Sequence, residues 1–486
     1  MAQQHMDRLT SIDASFLTQE TSDSHMHVGA VLIFEGPPPG YDDLLEHVRS
    51  RLHQVPRFRQ KLAFPPMELG RPFWIDDPSF NLEYHLRHSA LPSPGSEEQL
   101  RNMAARVFSQ QLDRTKPLWE LWLVQGLKRK RFALISKTHH AVVDGVSGVD
   151  IATVLFDVTP VPEPVEPDHT WVPAPEPSGA DLAARGVEGI ATTPFRLARR
   201  LLNAAQHPGP AAAQATEAAE ALGEVAWSLA NPAPEVPLNV DIGSHRRFDW
   251  VRSDLHELKR IKNALGGTVN DVVLTVVSGA LRRWLRARGV KTEGLELRAL
   301  VPVSIRASDE HGQLGNRIAA VRGPLPVYVE DPVRRLQAVR ESMGDVKGSK
   351  QALGAEVISR FNDFAPPTLL AQASRLNFST RLFNLIVTNV PGPQLPLYVL
   401  GRELEDVFPV AFLPENHALA IAIMSYNHGI GFGLLSDYDA MDDVELIVDG
   451  IKASIAELGE AAKQAEARSE AQPAHAAQGV RAPDAG

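Results

Sequence analysis

Apolar positions along the chain switch between two periods, and the switches predict where strands and helices lie. Residues 118–124 and 132–137 are apolar runs of strand length, separated by Gly126 and a basic stretch at 128–131, which predicts a hairpin. The second run leads straight into His139. After Asp144-Gly145 the spacing of Val146, Val149 and residues 151–156 suits a helix, so residues 139–145 form a strand-to-helix loop. Residues 254–265 predict a helix stopped by Gly266-Gly267. Residues 270–288 predict another, with Val273, Val276, Val277, Ala280, Leu281, Trp284 and Leu285 on one face and Gly289 as its stop. Strand-like runs at 297–303, 318–321, 385–390, 418–424 and 431–435 alternate with helical patterns at 332–343 and 442–458. The expected class is α/β, an α+β sandwich in each of two halves.

Proline divides those halves. Residues 157–178 are crowded with proline and acidic side chains, which supply no core and read as an extended spacer. An alanine-rich, helix-prone stretch follows until Pro232, Pro234 and Pro237, after which patterned sequence resumes. The expected organisation is therefore a subdomain at 1–158, a connector with helices at 159–245 and a second subdomain at 246–460. Small and polar residues at 461–486 predict a disordered tail.

Composition narrows the chemistry. Among 486 residues, 49 basic side chains face 59 acidic ones, a net charge of −10 that argues against nucleic acid as a partner. No run approaches the roughly 20 apolar residues of a membrane span, and the N-terminus lacks a signal pattern, so a cytoplasmic protein is expected. There is no cysteine, which excludes disulfides, thiolate metal sites and a cysteine nucleophile.

The sharpest candidate is His139-His140-Ala141-Val142-Val143-Asp144-Gly145. An imidazole, with an ordinary pKa near 6.5, can take and return a proton close to neutrality, so one histidine can act as a base. Asp144 either fixes the imidazole tautomer or holds the Asp144-Gly145 turn; the second fits its place at the entry to a helix, and Arg306 offers a partner. No acidic or cysteine cluster completes a metal tetrahedron around the histidines, so no metal is expected. Asn270 and Asp271 stand where a long helix begins, so Asn270 is either an N-cap or a substrate-orienting, oxyanion-stabilising donor, and Asp271 suits the first turn. Pro117, Leu118, Trp119 and Glu120 lie on a strand, as core or as channel lining. Asn389, Pro391 and Gly392 form either a rigid turn or part of a channel wall.

The His-His-x-x-x-Asp-Gly pattern at 139–145 resembles the active-site motif of the chloramphenicol-acetyltransferase-like acyltransferases, which include peptide-synthetase condensation domains. Pro117-Leu118-Trp119-Glu120, Asn270-Asp271 and the Asn-Val-Pro-Gly-Pro run at 389–393 resemble one branch, the bacterial wax ester synthase/diacylglycerol acyltransferases. So do residues 7–17, 26–29 and 301–306. The plant Asp-Phe-Gly-Trp-Gly motif is absent, the nearest match being Gly431-Phe432-Gly433. The resemblance implies two related subdomains around a tunnel, with the active histidine at their interface and His140 as base. It implies acyl-coenzyme A as cosubstrate, no cofactor, and a diacylglycerol or long-chain alcohol as acceptor. A condensation-type enzyme using carrier-bound thioesters, or a catalytically silent lipid-binding protein, are the alternatives. Residues 195–202, basic on one side and apolar on the other, suggest either a helix packed on the domain or peripheral contact with a membrane or lipid droplet.

Overall fold

A computed structural model describes residues 6–68, 70–142, 155–161, 165, 171–186, 231–304, 318–348 and 378–478. Fifteen strands are assigned among them. They are β1 (Asp7–Arg8), β2 (His27–Phe34), β3 (Gln60–Ala63), β4 (Phe73–Asp76), β5 (Leu86–Ala90), β6 (Trp119–Leu127), β7 (Arg131–His139) and β8 (Arg246–Asp254). The rest are β9 (Leu297–Ser304), β10 (Ile318–Leu325), β11 (Leu385–Pro391), β12 (Tyr398–Val399), β13 (Arg402–Val410), β14 (Leu419–Tyr426) and β15 (Gly429–Asp437). One six-stranded sheet runs β12-β13-β2-β7-β6-β5 and the other β10-β9-β11-β14-β15-β8, beside a small β1-β4-β3 sheet. Both large sheets are mixed: β11 pairs parallel with β9 and β14, and β5 parallel with β6, while the other ladders are antiparallel.

The hairpin is present, β6 against β7, turning through Arg129 and Lys130 in left-handed backbone. The helix Leu255–Leu265 is capped by Asp254 and stops at Gly266, where φ is +85°. The helix Val269–Ala287 begins after Thr268 and buries its apolar face beneath the second sheet, against Leu297, Val301, Leu385 and Ile421. With the helix Leu255–Leu265 it forms an apolar pair, but the two are bent 99° apart, and no single helix among the described residues is long and apolar enough to cross a membrane.

Three features depart from expectation. Strands β12 and β13, which belong to the second half of the sequence, complete the sheet of the first half, with Val407 opposite Leu32 and Val410 opposite Gly29. The boundary at 246 therefore does not separate the sheets in space. The last helix, Val444–Gln478, continues well into the stretch expected to be a disordered tail from residue 461, because alanine, glutamate and lysine there favour helix. The described residues of the proline-rich spacer and the stretch that follows it are docked on the fold. Asp157 pairs with Arg51 at 2.6 Å and bridges to Tyr398, the Ala174 amide donates to Asp76 at 3.0 Å, and Leu182 packs on Phe73 and Ile75. The expected helix at 146–156 lies largely outside the described residues, as do Asp144, Gly145, Arg306 and the 194–202 segment.

Candidate active site

β7 ends at the two histidines, and its neighbours fix both by their backbones. The His139 amide donates to the Leu118 carbonyl at 3.0 Å and the His140 amide to the Met26 carbonyl at 2.8 Å. Val142 then donates back to the His139 carbonyl at 2.9 Å, closing a tight turn at the strand end. Successive strand side chains diverge, so the imidazoles face different surroundings.

His140 sits among aromatic rings from both halves of the chain. Phe16, on the helix Ser11–Gln19, stacks on it with centroids 4.0 Å apart, and Phe412 meets it edge-on at 5.5 Å. Phe378 in turn contacts both phenylalanines. Burial in this apolar setting, reinforced by the neighbouring His139, pushes the His140 pKa down to about 4, so the ring is a neutral imidazole at pH 7. Its Nδ1 is buried without a partner among the described residues.

His139 faces a charged cluster. Its Nδ1 accepts the Ala141 amide at 3.1 Å, and its Nε2 lies 3.5 Å from a Glu20 oxygen. Glu20 follows the same helix that supplies Phe16, and its other oxygen lies 3.5 Å from His27 Nε2; His27 stands directly opposite His139 across the β2–β7 ladder. Arg114 grips Glu20 through Nε at 2.8 Å and through Nη2, which also donates to the Leu17 carbonyl. Burial works against ionisation of Glu20, but His139, His27 and Arg114 together hold its carboxyl well below the usual range. Sequence reasoning missed Glu20 and Arg114, since a lone acid and a lone arginine 94 positions apart carry no local signal.

The Pro117–Glu120 motif is core. Leu118 and Trp119 are buried, the Trp119 ring lies between Phe58 and His85, and its indole N–H donates to the Phe58 carbonyl at 2.9 Å. Glu120 bridges Arg87 and the fully buried Lys137, whose ammonium also donates to the Val107 and Gln110 carbonyls at the end of the helix Glu97–Phe108. The motif reaches the site through its backbone, where Leu118 holds His139.

Asn270 is not the cap of its helix. Thr268 is, exchanging hydrogen bonds with Asp271 in a capping box, so Asp271 has a structural place. Asn270 Oδ1 instead accepts from Asn389 Nδ2 at 3.2 Å, joining two residues that the sequence offered separately. Pro391 ends β11, and Gly392 follows because an added Cβ would stand 2.3 Å from the Ser425 carbonyl.

Burial also pushes His27 down to about 3 and His85 down to about 4. The unfolded chain then binds protons that the folded chain refuses. The stability these groups contribute is complete above about pH 6.5 and is lost as pH falls towards 4, with Glu20 adding a loss below about 4.5. Each fully buried histidine steepens the slope by about 1.4 kcal/mol per pH unit in that window. Urea midpoints at pH 7.5 and 5.5 test this: a clear drop is expected, and equal midpoints would refute it.

The two large mixed sheets share strands across the halves, and the His-His strand end lies where they meet. The first condensation domain of the calcium-dependent antibiotic synthetase has that fold, with a TM-score of 0.56 at 16% identity, covering 95% of this chain and 97% of its own. Residues 9–273 match the wax ester synthase/diacylglycerol acyltransferase catalytic domain and residues 314–459 match the WS/DGAT C-terminal domain, so the chain belongs to that family and is an acyltransferase. It is 32% identical over 457 residues to the Mycobacterium tuberculosis protein named diacylglycerol O-acyltransferase tgs1, covering 93% of this chain and 96% of that one. The wax ester synthase/diacylglycerol acyltransferase of Marinobacter aquaeolei VT8 superposes with a TM-score of 0.66 at 27% identity, covering 94% of this chain and all of its own.

Proposed function

We propose that this O-acyltransferase moves a fatty acyl group from acyl-coenzyme A to the hydroxyl of a diacylglycerol, a long-chain alcohol, or both, with His140 as general base. The observation that carries this is the His140 ring itself: a neutral imidazole, clamped by Phe16 and Phe412 where the two halves meet. With Nδ1 buried, Nε2 is the nitrogen left to take the hydroxyl proton. The alkoxide oxygen attacks the thioester carbonyl, the tetrahedral oxyanion collapses, the C–S bond breaks, and the departing thiolate recovers the proton from His140. Transfer is direct, without an acyl-enzyme or a cofactor, which suits a chain lacking cysteine. The relatives named as diacylglycerol acyltransferases support the acceptor class.

The test is transfer from radiolabelled palmitoyl-coenzyme A by the purified protein, with dioleoylglycerol and hexadecanol supplied separately. Ester formation ranks the two acceptors. Failure with both, alongside transfer from a carrier-bound thioester, would replace this reading with the condensation-type one. Because both acceptors are water-insoluble, the Arg/Leu pattern at 195–202 is proposed to hold the enzyme on an anionic lipid surface, such as the inner membrane face or a droplet. Deleting residues 194–202 is expected to reduce cosedimentation with anionic liposomes; undiminished cosedimentation would overturn the proposal.

A further inference from the structure

Behind the two histidines lies a buried ionic cluster that the chemistry at His140 does not itself consume. Glu20 and His139 are each almost completely shielded from solvent, their side chains 2% and 1% exposed. The cluster is built from separate elements: Glu20 after the first helix, His27 on β2, Arg114 on the segment between the helix Glu97–Phe108 and β6, and His139 at the end of β7. A carboxylate placed there needs compensation, and Arg114 supplies it with two donors on one oxygen.

The tautomer of His139 follows from its hydrogen bonds. Because Nδ1 accepts the Ala141 amide at 3.1 Å, the ring proton of the neutral form sits on Nε2, the nitrogen turned towards Glu20. At 3.5 Å the contact is long for a hydrogen bond but short for a charge contact, and an ionised carboxylate favours only the tautomer that presents N–H. The same Ala141 amide belongs to the turn closed by Val142 onto the His139 carbonyl, so the His139 ring and the backbone that carries His140 are one unit. Phe16, which stacks on His140, is four residues before Glu20, whose amide donates to the Phe16 carbonyl at 3.1 Å. Glu20 thus ties together both the turn beneath the base and the helix that supplies its stacking ring.

We propose that Glu20, charge-balanced by Arg114, is a positioning residue that sets the orientation of His140 by holding the Nε2–H tautomer of His139. The inference rests on the reading of His140 as the base. Glu20 touches neither substrate nor reacting atoms, so its removal lowers kcat and leaves the KM values for acyl-coenzyme A and acceptor in place.

Steady-state kinetics of the full chain test this with Glu20→Gln, Glu20→Asp, His140→Ala and the Glu20→Gln/His140→Ala double variant, with circular dichroism to verify folding. Glu20→Gln is expected to lower kcat about 10- to 100-fold with KM unchanged, the scale of a small misplacement of a catalytic group. Glu20→Asp, which keeps the charge, recovers part of the loss. Adding Glu20→Gln to His140→Ala costs nothing further, because residues acting as a unit are non-additive. Wild-type kcat in Glu20→Gln beside an inactive His140→Ala overturns this inference alone, as do losses that simply multiply. A fully active His140→Ala removes the base and the inference with it. Should Glu20→Gln fail to fold, Arg114→Gln, at a half-exposed position, gives the same readout: lowered kcat at unchanged KM supports the proposal, and wild-type kcat overturns it.

Discussion

Replacing His140 with alanine is expected to lower kcat by about 10²- to 10⁴-fold, the usual contribution of a well-placed general base. The KM values should move little, since the ring contacts Phe16 and Phe412 rather than forming a charged anchor for substrate. Folding should survive, because the His140 backbone, which donates to Met26, remains, and the lost stacking contact is worth only about 0.5–1.5 kcal/mol. A second consequence follows from burial. An imidazole held near pKa 4 stays unprotonated far below pH 6.5, so the acid limb of kcat/KM in the wild-type enzyme should lie well below the usual histidine range. Palmitoyl transfer by the variant at unchanged rate would mean that another group takes the proton.

Local signals in the sequence were sufficient to place the two histidines at a strand end, while the choice of His140 between them came from the family resemblance. The strand running into His139, the hairpin before it and the helices stopped by Gly266 and Gly289 depend on neighbours a few residues apart, and the structure has them. What the sequence concealed is the pairing of distant segments. β2 and β13 look like unremarkable apolar stretches until Val31 is set beside Phe408, hundreds of residues later. Glu20 and Arg114 are the same case, ordinary charged residues whose meaning appears only when a helix end and a loop are folded against His139. Asn270 was placed correctly near a helix start but one element of context was missing: Thr268 had already taken the cap, which frees the amide for Asn389.

Gly433→Ala is expected to damage the fold severely, and it acts at the junction of the two halves. Gly433 lies in the middle of β15, paired on one side with Ala422 of β14 and on the other with Trp250 of β8, so it cannot withdraw. Across the junction the β13 backbone comes so near that a Cβ on Gly433 would stand 1.9 Å from the Pro409 carbonyl, and one on Gly431 2.1 Å from the Val407 carbonyl. β13 is itself bound to β2, with Pro409 opposite Ala30, so a methyl group must push one sheet off the other. Overpacking of this kind costs about 1–3 kcal/mol and often more where only backbone can yield. The loss should not stop at stability. Phe412 lies two residues beyond β13 and meets His140 edge-on, while Phe16 holds the other face from the first half, so separating the sheets opens the clamp around the base. A misplacement of about 1 Å is worth on the order of 10² in rate. Gly344→Ala, on an exposed helix position with nothing within 4 Å of the added Cβ, serves as control and should be neutral or slightly stabilising. Melting temperature and kcat measured on the folded fraction separate the two effects: both should fall in Gly433→Ala, and a variant that melts and turns over like the wild type would show that the sheets can part without cost.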